Sequence, residues 1–138
     1  MDEKTFKDRT KKFALAVVKL VESLPRNRTA EVLGRQLLRS GTSVGANYRA
    51  ACRGRSTSDV VAKLGIVEEE ADETIYWLEL LAESGVVPVE KVTLLAKEAN
   101  ELVAMTVASI KTLRNRIRNG VPEITRPTRG VQNLKSKI

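Results

Sequence analysis

Ser40-Gly41-Thr42-Ser43-Val44-Gly45-Ala46-Asn47 decides how this chain folds. The octet is poor in helix formers, and its two glycines each cost about 1 kcal/mol against alanine in a helix interior. Yet Leu33, Leu37, Val44, Tyr48 and Ala51 carry an apolar seam at helical spacing straight through it. A loop at Ser40–Thr42 would break the chain here. A continuous helix needs a compensating contact, and small side chains permit one, because they let another backbone approach closely. We read the octet as helix packed tightly on a neighbour, within a segment running from Thr29, a plausible N-cap, to Arg53 or Gly54.

Working outward, Pro and Gly punctuate the rest of the 138 residues into three more long periodic segments and a tail. Phe6, Phe13, Val17, Leu20 and Leu24 form a helical seam ahead of Pro25. Leu15 and Val18 of the same segment project onto its charged side, as ordinary exposed residues or as a second contact. From about Ser58 to Ala82 the seam is Val60, Leu64, Val67, Ala71, Ile75, Leu78 and Ala82. A second stripe there, Ala62, Ile66, Trp77 and Leu80, lies roughly 120–160° away, so this helix touches two neighbours, within the fold or across subunits. After Ser84-Gly85, Pro88 suits the first turn of a last helix reaching about Asn119, with Val92, Leu95, Ala99, Leu102, Thr106, Ile110, Leu113 and Ile117 on one face. There is no strand-like alternation and no internal repeat. The pattern predicts an all-α fold, an antiparallel up-down four-helix bundle over residues 1–119, followed by a flexible basic C-terminal tail at 120–138. Arg126, Arg129, Lys135 and Lys137 alternate in that tail with Val131, Leu134 and Ile138, as plain disorder or as a segment that docks on a neighbour or on nucleic acid.

Composition removes several functions. With no histidine, Ser-His-Asp and Cys-His catalysis and His-ligated metals are excluded. One cysteine excludes an intrachain disulfide, a CxxC redox pair and a Cys-built zinc cage. The acidic run Glu68-Glu69-Glu70-Ala71-Asp72-Glu73 lacks the Glu-x-x-His that bundle di-metal sites use, so it reads as a solvated or arginine-pairing face. Cys52 reads as a packed thiol, and Tyr48 and Trp77 as core or interface anchors. No acid, base, nucleophile and metal converge, and no phosphate-cradling glycine motif occurs; the chain reads as a non-enzyme with no cofactor. No signal-like stretch or membrane-length apolar run is present, which predicts a soluble, cytoplasmic protein that does not engage a membrane.

Charge carries the positive signal. The net +7 hides two opposed blocks: residues 26–56 hold seven arginines, no lysine and one Glu, whereas residues 57–87 hold one Lys and eight acids. On a helical wheel Arg28, Arg35, Arg39, Arg49 and Arg53 share an arc of about 80°, with Thr42 and Ala46 between them. Guanidinium forks bind phosphate or carboxylate bidentately. Three readings stand: a phosphate-tracking surface, pairing with acids of the third segment within or between subunits, or a merely solvated face. Arg114, Arg116 and Arg118 add cations at the end of the fourth helix.

The stretches Gln36-Leu37-Leu38-Arg39-Ser40, Ser43-Val44-Gly45-Ala46-Asn47, Arg53-Gly54-Arg55-Ser56, Glu70-Ala71-Asp72-Glu73 and Trp77-Leu78-Glu79-Leu80-Leu81 resemble the four-helix-bundle proteins encoded in intervening sequences of bacterial 23S ribosomal RNA genes. The likeness spans about residues 5–119. Many relatives have Pro where this chain has Gly45 and a more apolar residue at Tyr48. The resemblance implies a homopentamer around a central channel. It also implies a link to bundle accessory proteins of diversity-generating retroelements, which bind RNA together with a reverse transcriptase, a possible protein partner. No catalytic residues come with the family.

Two functions follow as expectations. One is a homo-oligomeric basic bundle that binds structured nucleic acid, RNA before DNA, through the five arginines of the second helix and Arg114, Arg116 and Arg118. It would assemble through Leu15, Val18, Ile66, Trp77 and Leu80. The other is an assembly or protein-interaction scaffold in which the arginine helix pairs with the acidic helix of a neighbouring subunit.

Overall fold

The computed structural model describes residues 2–123, and the tail reading for 124–138 lies outside them. Four helices make up the fold: α1 (Glu3–Glu22), α2 (Arg28–Cys52), α3 (Thr57–Glu83) and α4 (Glu90–Arg118). Helix α2 passes through the 40–47 octet without interruption. The compensating contact is α1. A Cβ on Gly41 would lie 2.8 Å from both γ-methyls of Val17, and one on Gly45 would lie 3.1 Å from Thr10 Oγ1. The two glycines thus form a notch that seats α1, and its close packing offsets their poor propensity.

Caps set the helix ends. Asp2, Asn27 and Ser56 have extended backbones, and their side chains accept the N–H of Thr5, Ala30 and Asp59. The start of α2 is therefore capped by Asn27, not by Thr29, which falls inside the first turn. Helix α4 begins at Glu90 with no side-chain cap, and Pro88 stands just outside it. Gly85, at φ +78°, closes α3: its N–H reaches the Ala82 carbonyl at 3.1 Å and the Val86 N–H reaches Leu81 at 3.1 Å.

The short connections make neighbours antiparallel, so α1 starts, α2 ends, α3 starts and α4 ends at one end of the bundle. Helices α2–α3 and α3–α4 pack along their length, while α1 touches α4 least. The predicted seams supply the core: Phe6, Val17, Leu37, Val44, Val67, Ala71, Leu78 and Leu102 are all fully enclosed. Tyr48 joins them, edge-on to Phe6 with ring centroids 4.5 Å apart. Leu24, Leu33, Val60, Ile75, Ala82, Leu95 and Leu113 are half-buried, and Ile117 reaches solvent at 38 % exposure.

The core also contains hydroxyls that periodicity did not select. Thr10, Ser40, Thr74 and Thr106 are buried. Thr74 Oγ1 stands 3.0 Å from Ser40 Oγ and 2.7 Å from the Glu70 carbonyl, and Thr106 donates to the Leu102 carbonyl at 2.7 Å. Bonding to the preceding turn, and between Thr74 and Ser40 to each other, satisfies these groups within the core. The thin α1–α4 seam is held by Arg9, whose Nε and NH2 donate to Glu98 at 2.7 and 2.8 Å while NH2 also reaches Glu101 at 2.6 Å.

Candidate functional site

The arginine arc lies on the outer face of α2, and its two edges lean in opposite directions. Arg39 leans to α3, where its guanidinium pairs with Glu70 and Glu73 of the same chain. Glu73 also accepts the Trp77 indole N–H at 2.9 Å, and this bond, ahead of the Arg39 contact, holds its carboxyl below the ordinary range. The pairing anticipated between the basic and acidic helices is thus realised at Arg39, within one protomer. Arg28, Arg35 and Arg49 are exposed and make no ion pair among the described residues.

At the other edge, Arg49 leans toward α1 and opens onto a groove of about 840 Å³ between α1, α2 and the α2–α3 connection. Six cations line it: Lys7, Lys11, Arg49, Arg53, Arg55 and Lys63. Its floor consists of Thr10, Ala14, Thr42, Gly45, Ala46 and Ala50. The floor is shallow in side chains for the reason α2 could stay helical: small residues bring α1 and α2 together and leave a trough above the contact. Asp59 is the single acid of the lining. Lys63 donates to it at 2.7 Å and the Arg55 backbone N–H at 2.8 Å, and these bonds hold its carboxyl below the ordinary range. Lys7 pairs with Glu3 at 3.0 Å. The side chains of Lys11 and Arg49 have no acidic partner among the described residues, and Arg55, which makes no ion pair there, acts on Asp59 through its charge. A concave surface lined by six cations against one acid attracts anionic oxygens.

The predicted cations are not one continuous patch. Arg49, Arg53, Arg114, Arg116 and Arg118 gather at the end where α2 and α4 finish; Arg28 and Arg35 lie toward the opposite end. Arg116 borders a second cavity of about 580 Å³ with Glu3, Tyr48, Cys52 and Met105. Burial there pushes the Cys52 thiol above its ordinary value, which keeps it protonated and unreactive. Sequence reading missed Lys7, Lys11 and Lys63 as partners of the arc. The available signal was the spacing of Lys7, Thr10, Lys11 and Ala14, which puts two lysines and two small residues on the α1 face meeting the glycine notch.

The anticipated contact residues fall on two diagonal helices. Leu15 of α1 is 58 % exposed and Ile66 of α3 is 43 % exposed, whereas Val18, Trp77 and Leu80 are half-buried. Tyr76, edge-on to Trp77 at 5.0 Å, extends the α3 patch. Leu94 of α4, the most exposed of the large apolar side chains among the described residues, escaped the sequence reading because it falls on the charged face of its helix.

Fold and groove together define a basic, antiparallel four-helix bundle. The model of the 23S rRNA-intervening sequence proteins matches residues 3–108, and the chain belongs to that family. It is also similar to a solved protein of unknown function from the S23 ribosomal protein family of Bacteroides thetaiotaomicron, at 37% identity and a TM-score of 0.72, covering 76% of this chain and 97% of that one. No curated protein gives a significant match. Among the described residues no helix is long and apolar enough to cross a membrane, and no cluster of acidic or cysteine side chains is arranged to hold a metal ion.

Proposed function

We propose that this protein is a non-enzymatic, homo-oligomeric bundle that binds structured nucleic acid, RNA in preference to DNA, through the cations of α2 and the basic end of the bundle. The observation that carries the reading is that Arg28, Arg35 and Arg49 present guanidinium groups to solvent without an acidic partner among the described residues, although an acid-rich helix lies beside them. Arginines serving only intrachain pairing would all resemble Arg39. Phosphate contacts of this kind are sequence-independent and salt-sensitive. The family's tie to 23S rRNA intervening sequences supports RNA over DNA. Self-assembly belongs to the reading. A head-to-tail ring needs two different surfaces on each protomer, and the exposed apolar residues of α1 and α3 sit at diagonal corners. The family resemblance supports a pentamer.

The test is charge reversal, Arg28→Glu/Arg35→Glu, with RNA affinity by fluorescence anisotropy and oligomer mass by light scattering. The reading expects weakened RNA binding at unchanged mass. Loss of the oligomer would instead identify these arginines as contacts to the acidic helix of a neighbouring subunit, and intact RNA binding would remove them from the interface.

A further inference from the structure

The α1–α2 groove selects among nucleic acids by shape, and this step rests on the nucleic-acid reading above. We propose that the groove is a track for the sugar-phosphate backbone of one single strand, which lies along the Gly45–Ala46 floor with its bases turned outward. Three observations carry it. First, the groove is narrow: packed helix axes stand about 8–10 Å apart, and the glycine notch seats Val17 and Thr10 of α1 directly on α2. A duplex carries two backbones with paired bases between them and is wider than this spacing, so it meets the rim without entering. A single backbone fits between the helices.

Second, the lining is phosphate chemistry without base chemistry. No aromatic side chain reaches the groove: Phe6, Phe13 and Tyr48 are in the core, and Tyr76 and Trp77 belong to α3. Proteins that grip single strands through their bases present stacking platforms, and this site has none. It offers cations along both walls, with Lys11 on α1 and Arg49 and Arg55 on the other side, none of the three in an ion pair among the described residues. Third, the α2 side of the groove, from Thr42 to the Arg53 cap, extends roughly 16 Å at 1.5 Å per residue. That is enough for a few successive phosphates and far too long for a single small anion. The site therefore takes unpaired stretches of any sequence, such as the loops and ends of a structured RNA.

The experiment compares an unstructured RNA oligomer, the same sequence as a blunt duplex, and a single-stranded DNA of equal length, across salt concentrations. The proteins are wild type, Lys11→Ala/Arg49→Ala/Arg55→Ala, the charge-neutral groove filler Ala46→Leu, and Arg28→Ala/Arg35→Ala outside the groove. All substituted positions are solvent-exposed, and circular dichroism with light scattering verifies fold and mass. The triple variant is expected to lose at least about tenfold in single-strand affinity, one charge-assisted contact's worth. Its salt slope falls by about 2, three contacts at about 0.7 each. Ala46→Leu weakens single-strand binding while leaving duplex binding unchanged. Single-strand affinity untouched by both groove variants but lost in Arg28→Ala/Arg35→Ala overturns the groove and leaves nucleic-acid binding standing. Equal affinity for duplex, equally sensitive to Ala46→Leu, overturns strand selection. A groove variant that changes oligomer mass assigns the groove to an acidic helix of a second copy and overturns the proposal. Absence of binding to every probe overturns the underlying reading as well.

Discussion

Gly41→Ala sets helix propensity against packing, and the structure decides which wins. In an unobstructed helix the change stabilises by about 1 kcal/mol. Here the new methyl would stand 2.8 Å from both γ-methyls of Val17, closer than such carbons approach. Val17 is fully buried and β-branched, so it cannot rotate aside. Overpacking of this kind costs about 1–3 kcal/mol, which after the propensity gain leaves a net destabilisation of up to about 2 kcal/mol. For a bundle of this size that lowers Tm by up to about 8 °C, read by circular dichroism at one fixed protein concentration because oligomers shift with concentration. Gly65→Ala is the internal control: nothing lies within 4 Å of its added Cβ, so it stabilises by about 0.5–1 kcal/mol. A cycle with Val17→Ala adds specificity, since Gly41→Ala then costs less or becomes stabilising. If Gly41→Ala raises Tm as Gly65→Ala does, the notch is not what keeps the octet helical, and the packing argument fails.

Three further outcomes follow from the same contacts. Arg9→Ala removes the bidentate clasp between α1 and α4 and lowers stability by about 1 kcal/mol, with hydrogen-exchange protection falling first in those two helices. The Arg9 guanidinium holds the Glu98 carboxyl below its ordinary 4.5. Its contribution is therefore full above that value and is lost as pH falls through the lower folded one. Glu98→Gln makes stability less pH-dependent as pH falls below 4.5 in urea titrations; an unchanged pH dependence would remove Glu98 from the acid transition. Thr74→Val costs about 1 kcal/mol by breaking the buried Ser40 bond, and adding Ser40→Ala costs less than the separate effects together; strict additivity would show that the hydroxyls do not interact.

Much of the fold was legible because apolar spacing and Pro/Gly punctuation agree, and Leu37, Val44, Leu64, Leu78 and Leu102 sit where their seams put them. The octet was legible through its small residues, which mark a close approach. Two features were not. Thr10, Ser40, Thr74 and Thr106 are core residues of polar type, satisfied by carbonyls of their own helices or by one another, and such satisfaction leaves no trace in hydropathy. Asn27 and Thr29 are both acceptable caps, and only the backbone shows that Asn27 has the extended conformation. For the site, the arc on α2 was visible, but a wheel of one helix cannot tell which neighbour each edge meets. Arg39 turned to the acids of α3 and Arg49 to the lysines of α1, so an apparently uniform stripe divides into an intrachain clamp and one wall of a groove.

The account stands most directly on the salt dependence of wild-type binding to an unstructured single-stranded RNA. Lys11, Arg49 and Arg55 predict a slope of log K against log salt of about −2 or steeper, at about −0.7 per neutralised phosphate. A slope near zero, or no binding by the correctly assembled protein at low salt, would contradict it.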